Sequence, residues 1–333
     1  MPHRLAVRLG LVSGLCLVAL FSSPSASVQQ PDGAPQVRVR PAAAGEETDD
    51  DERLVVNTDL ISFNVTVTDG AGRCVAGLPQ SAFTVLDGKR AQEISFFGED
   101  DSPVTVGIVF DLTGSMTDAK LKRAREALAR FMETSHKDDD YYLVTLEKGG
   151  VALPLAGTRD HAAVIEMLDR VVPRGKTALY DACYLGVNKV LRGAHRRRAL
   201  LLISDGQDNN SHYTFDELRD LLTESDVSVY SICVAEKGND EPTLKGEKTL
   251  RDISAVTGGR FFQPGSAEEM YEVFERIALE LRRQYAIAYR PSDFATDGRW
   301  HSVKVKLSPP PGSPRLHARH RKGYYAPAAA RRR

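Results

Sequence analysis

Apolar positions through the middle of the chain follow two alternating rhythms. A continuous apolar run at 106–110 predicts a strand buried on both faces, while the recurrence of Leu121, Ala124, Leu128 and Phe131 predicts a helix with one face against a core. Extended along the chain, the pattern predicts strands at 106–110, 141–146, 151–155, 199–204, 227–234 and 260–262. Helices are predicted at 121–132, 161–170, 178–191, 215–224, 250–257 and 268–283. The strands at 141–146 and 151–155, joined through Gly149 and Gly150, form a hairpin at the sheet edge. This alternation implies an α/β fold, a doubly wound, mostly parallel sheet with helices on both faces, whose sites lie at the carboxyl ends of its strands.

The flanks have a different rhythm. Leu60, Phe63, Val65 and Val67 mix apolar and β-branched residues before the turn Asp69-Gly70-Ala71-Gly72, and Asp87-Gly88 stands between 83–86 and 94–97 as a hairpin signal. Strands follow again at 285–289, 301–307 and 316–320, separated by Asp297-Gly298 and Pro309-Pro310-Pro311-Gly312. Each flank alone is too small for a stable β core. We therefore expect residues 54–100 and 284–327 to pair into one small β-sandwich-like module, into which the α/β domain, residues 101–283, is inserted.

Before residue 54 the pattern changes twice. His3, Arg4 and Arg8 precede the apolar run 9–21, and the small residues Ser22, Ser23, Ser25, Ala26 and Ser27 follow, the order of a secretory signal over residues 1–27. The run is shorter than a membrane span needs, so no integral span is expected after cleavage; the alternative is an uncleaved N-terminal anchor. Leu15 before Cys16 is too large for a lipidation site. Residues 28–53, Pro- and Ala-rich and then acidic from Glu46 to Glu52, read as a solvated linker, and 328–333 as a tail. Signal removal would leave Cys74, Cys183 and Cys233, an odd set with no disulfide framework. Cys183 and Cys233 are expected to be buried, Cys74 exposed. Hydrophobic residues at 42% and charged residues at 27% suit an ordinary core, and a net charge of -1 gives no basis for nucleic-acid binding. The location expected is secreted, periplasmic or envelope-associated.

Three segments at predicted strand or loop ends carry oxygen side chains. Asp111, Thr113 and Ser115 alternate around Gly114, so an extended turn would aim them at one point. Thr177 lies in a loop entering a helix, and Asp205-Gly206 ends the strand at 199–204. Singly, these are equally a helix cap, a second cap and a turn. Together, an oxygen-only set with two carboxylates selects a hard cation, Mg2+ first and Mn2+ or Ca2+ after it, over zinc or copper.

In this order the segments resemble the metal-ion-dependent adhesion site of von Willebrand factor type A domains, Asp-x-Ser-x-Ser with a distant Thr and a distant Asp. The segments 107–116, 177–182 and 257–262, Leu281-Arg282-Arg283-Gln284-Tyr285 and Arg321-Lys322-Gly323-Tyr324-Tyr325-Ala326-Pro327 also resemble exported VWFA-related proteins of the acidobacterial type, as do 65–70 and Asp87-Gly88-Lys89. The resemblance implies Asp111, Thr113, Ser115, Thr177 and Asp205 as metal ligands, with one position open for a Glu or Asp of a partner protein. Thr113 stands where the motif has Ser; its hydroxyl can coordinate, but its methyl adds bulk beside the ion.

The function expected is a divalent-cation-dependent protein-binding module rather than an enzyme. The alternatives are a metal-assisted hydrolase and a metal-independent envelope scaffold. Ser204 lacks a nucleophile elbow and a visible base, and the eight histidines include no close pair on one helix. Asp118 and Asp208 either tune the site from outside or are solvated. Asp181 is read as a carboxylate favouring its helix dipole, and the basic clusters 195–198 and 315–322 as solvated faces.

Overall fold

A computed structural model describes residues 60–99, 101–111, 118–147, 150–170, 177–235, 238–293, 296–308 and 310–327, without the side chains of residues 118, 120 and 147. The expected signal, linker and tail lie outside these residues. The N-terminal flank forms β1 (Ile61–Thr68), β2 (Phe83–Asp87), β3 (Arg90–Gln92) and β4 (Ile94–Glu99). The central region runs β5 (Val104–Asp111), α1 (Asp118–Thr134), β6 (Asp140–Glu147), β7 (Gly150–Thr158), α2 (His161–Arg170), α3 (Leu179–Val190) and β8 (Arg197–Ser204). It continues with α4 (Phe215–Glu224), β9 (Val227–Cys233), α5 (Glu241–Val256), β10 (Arg260–Phe262) and α6 (Ala267–Arg282). The C-terminal flank gives β11 (Tyr285–Tyr289), β12 (Trp300–Leu307), β13 (His317–Arg319) and β14 (Gly323–Tyr325).

The central sheet has the order β10-β9-β8-β5-β6-β7, parallel except for β7, which runs antiparallel to β6 at the edge. Burial on both faces explains why the middles of β5 and β8, residues 106–110 and 199–203, carry no polar side chain. Val106, Ile108 and Phe110 with Ala199, Leu201 and Ile203 join the core beneath α1, α2 and α6. Val109 with Leu200 and Leu202 joins the opposite core beneath α3, α4 and α5. Each buried Val, Leu, Ile or Phe among them contributes about 1.5–3 kcal/mol, so both faces of the sheet are held by helices.

The flanks interleave. β1 pairs with β11 in the antiparallel register Phe63↔Ile287 and Val65↔Tyr285, and β2 pairs with β12 through Val85↔Val305. Two four-stranded sheets result, β13-β1-β11-β4 and β14-β12-β2-β3, each with strands from both sides of the α/β domain. Phe63, Phe83, Tyr285, Tyr289 and Val305 meet in their shared core.

Four local expectations change. The Asp87-Gly88 turn, with Gly88 at φ +61°, joins β2 to β3, while β4 crosses to the other sheet and pairs with β11. The polar β3 left no mark in the apolar pattern. Helix α5 starts at Glu241, well ahead of the expected 250, capped by Asp240 accepting from the Thr243 N–H and carrying proline in its first turn. Cys74 is half-buried in a bridge to Thr68, and burial, reinforced by nearby Glu280, pushes its thiol up to about 11. The basic clusters are built into the structure: Arg197 is buried and donates to the Gln284 carbonyl at 3.0 Å, Arg319 pairs with Glu280, and Arg321 pairs with Asp226 at 3.0 Å. Cys183 and Cys233 are buried.

Candidate functional site

Strands β5 and β8 lie side by side in parallel, with Phe110 opposite Ile203, so Asp111 and Ser204 emerge together at their carboxyl ends. Both are fully buried, and Asp205 is 6% exposed. The Ser204 hydroxyl donates to Asp111 Oδ2 at 2.7 Å and accepts from the Gly206 N–H at 3.0 Å, a bridge between the first carboxylate and the turn carrying the second. Asp205 Oδ1 accepts from the Gln207 N–H at 3.0 Å. Gly206 takes φ +81°, and a Cβ there would stand 2.2 Å from the carbonyl oxygen of Gly246 on α5. Only glycine fits this backbone and this approach.

Thr177, also buried, immediately precedes the N-terminal end of α3. Its N–H donates to Asn209 Oδ1 at 3.1 Å, and its carbonyl accepts from the N–H groups of Asn209 and Asn210 at 3.0 and 3.1 Å. Below it, Leu179 N–H donates to Asp208 Oδ1 at 2.8 Å, and the Tyr180 and Asp181 N–H groups reach the Ser211 hydroxyl at 3.0 and 3.3 Å. Asp181 returns the connection by accepting from the His212 and Tyr213 N–H groups, both at 2.9 Å. Burial raises the Asp181 carboxyl, but the Tyr213 and His212 bonds outweigh it and hold the group below the usual range. Tyr213 then stacks on Tyr184 of α3, with centroids 3.8 Å apart.

Of the expected ligands, Asp111, Thr177 and Asp205 fall on described residues, while Thr113 and Ser115, with Gly114, lie outside them, as does the Asp118 side chain. Asp111 and Asp205 are joined through Ser204 and its turn, and Thr177 is fastened to the loop that Asp205 begins. Asp208 is half-buried and bonded to α3 rather than solvated, and Asp181 holds the loop in addition to standing in the first helical turn. Sequence reading misses Ser204, Asn209 and Ser211 as site residues; the polar run Asp208-Asn209-Asn210-Ser211 is the signal for the last two. Among the described residues no cluster of three or more His, Cys, Asp or Glu forms, and no ion pair reaches Asp205. The donors are two buried carboxylates and a threonine hydroxyl, an oxygen set that fits a hard divalent cation.

Buried carboxylates at adjacent strand ends of a doubly wound parallel sheet, tied to a threonine at a helix start, define an α/β domain with a strand-end polar site. Residues 106–207 match the family described as von Willebrand factor type A domain, and the chain carries such a domain. Among solved structures, a von Willebrand factor type A protein from Catenulispora acidiphila is similar at 15% identity and TM-score 0.46, covering 80% of this chain and 74% of that one. The manganese-loaded TRAP protein of Plasmodium vivax is similar at 13% identity and TM-score 0.45, covering 71% and 100%. An aerotolerance-related membrane protein from Bacteroides fragilis is similar at 16% identity and TM-score 0.43, covering 54% and 98%. No curated protein matches the chain. Among the described residues no helix is long and apolar enough to cross a membrane.

Proposed function

We propose that the chain is an exported protein-binding module that depends on a divalent cation, with Mg2+ as the preferred ion. Asp111, Thr113, Ser115, Thr177 and Asp205 would hold it, and a Glu or Asp of a partner protein would complete its shell. The α/β domain then spans 101–283 between the two parts of a β module, 54–100 and 284–327, behind a signal over 1–27. The observation that carries this reading is a pair of buried carboxylates at the carboxyl ends of the adjacent strands β5 and β8, linked through Ser204 and its turn, with Thr177 bonded into the loop between Asp205 and α4.

The protein's own groups have distinct tasks in this scheme. Ser204 orients Asp111 by donating to one of its oxygens. The Asp205 turn is held against α5, and Thr177 stands on a backbone bonded at both its N–H and its carbonyl. A bound cation would supply Lewis-acid attraction for an incoming carboxylate. Binding of this kind needs no proton transfer, so it needs no general base beside the ion.

Isothermal titration with Mg2+ tests the reading directly. The wild type should bind and Asp111→Ala should not; absence of binding by the wild type, or equal binding by the variant, would overturn it. Capture of a partner from envelope extract should require Mg2+ and be lost in EDTA, whereas turnover of phosphate esters or peptides would indicate the hydrolase alternative.

A further inference from the structure

Helix α3 begins without a cap of its own. An α-helix leaves its first N–H groups unsatisfied, and a Ser, Thr, Asp or Asn just before it normally accepts one of them. Here the N-cap is Ala178, which makes no side-chain cap bond. The N–H groups of Leu179, Tyr180 and Asp181 are taken by Asp208 and Ser211, 29 to 31 residues later in sequence. Asp208 Oδ1 also accepts from the Ser211 hydroxyl, which keeps the two acceptors together. Thr177 is gripped by Asn209 and Asn210 at both its N–H and its carbonyl. The loop that starts at Asp205 therefore caps the helix that starts after Thr177.

We infer that Asp208, Asn209 and Ser211 are positioning residues that fix Thr177 in register with Asp205, an assignment that rests on reading those two as ion ligands. None of the three touches the ion in this scheme. Their bonds make the Thr177 and Asp205 segments one body before any ion arrives, so the ordering entropy of that half of the site is already met on folding. The role of Asp208 is that of an acceptor for the Leu179 N–H and Ser211 hydroxyl, which an amide oxygen can also fill. Asn209 acts likewise through its side-chain oxygen. Loss of supporting partners around a metal site commonly weakens binding about 10–100-fold, and the same scale is expected here.

The test is isothermal titration of Mg2+ into the full chain, paired with amide hydrogen exchange on metal-free protein. Asp208→Ala and Asn209→Ala should each weaken Mg2+ binding by roughly 10–100-fold, while Asp208→Asn stays close to wild type. In metal-free protein, the amides of 179–181 should lose protection in Asp208→Ala and keep it in Asp208→Asn, with β5 and β8 protected throughout. If Asp208→Ala loses protection in those strands, it has unfolded, and Asn209→Ala with Ser211→Ala decides the matter. Wild-type affinity in the alanine variants would overturn the positioning role. So would an Asp208→Asn variant that falls with Asp208→Ala, because charge rather than the acceptor would then be acting. A wild type that binds no Mg2+ overturns the functional reading and this assignment together, an outcome distinct from a wild type that binds and variants that bind equally.

Discussion

Ser204 shows how one hydroxyl joins two parts of the site. It is fully buried between Asp111 and the Gly206 N–H, so Ser204→Ala removes a donor from a buried carboxylate and the acceptor from a buried amide. Such losses cost about 1–3 kcal/mol each, and urea unfolding should show a destabilisation on that scale. Ser204→Thr, which keeps the hydroxyl, should lose less. At this scale the two strand-end carboxylates were legible and the groups that hold them were not. Asp111 and Asp205 announce themselves because an apolar run that ends in a carboxylate marks a strand end, whatever surrounds it. Ser204, Asp208 and Ser211 acquire their partners across 29 to 93 residues of chain, and no local spacing encodes that.

Helix α5 carries the corresponding lesson for elements. Glycine inside a helix costs about 1 kcal/mol relative to alanine, and the first half of α5, where an exposed Leu244 stands among polar residues, carries no apolar rhythm and includes Gly246. Its reason lies in the site, since a Cβ at Gly246 would stand 2.3 Å from the Asp205 carbonyl oxygen. The helix backbone is thus the floor of the Asp205-Gly206 turn. Gly246→Ala, which would favour an isolated helix, should here destabilise the protein by about 1–3 kcal/mol through overpacking. Thermal melting should register that loss, and titration should show weaker Mg2+ binding because Asp205 is displaced. The strands β5 and β8 were legible because burial on both faces demands an unbroken apolar stretch through their middles, 106–110 and 199–203. β3 was not, because its polar residues are specified by the turn at Asp87-Gly88 and by pairing with β2.

At the scale of the whole molecule, the α/β domain and the β module are joined by charges that the sequence presents as surface clusters. Glu280 of α6 is fully buried and pairs with Arg260 of β10 at 3.1 Å and with Arg319 of β13. Arg321 reaches Asp226, which lies just before β9. These groups become buried only when the flanks close on the domain, so their role could not be read from their own segments. Removing one partner of a buried pair typically costs about 3–5 kcal/mol. Glu280→Ala should approach that, because it leaves two arginines in the joint without their shared carboxylate, and denaturant unfolding is the measurement.

The same joint gives the protein an acid-sensitive point. His320, between β13 and β14, accepts from the Val305 N–H at Nε2, 3.1 Å away, so its proton sits on Nδ1 facing the Arg321 carbonyl at 2.6 Å. A Cβ at Gly258, in the turn before β10, would meet the His320 carbonyl oxygen at 2.3 Å, so the α/β domain is pressed against this residue. A second proton on the ring would face the Val305 N–H, one donor against another. Burial lowers the His320 pKa from its ordinary 6.5; the Arg321 carbonyl opposes that shift, and the Arg321 cation adds to it. With the folded value depressed, the unfolded chain takes up the proton first as pH falls. The contribution of His320 to stability is therefore complete above about 6.5 and is lost as pH falls from there through the lower folded value. Urea midpoints measured from pH 7.5 to pH 5 should fall more steeply for wild type than for His320→Gln, whose side chain can accept from Val305 but does not titrate. Equal slopes would place the acid sensitivity in the carboxylates instead.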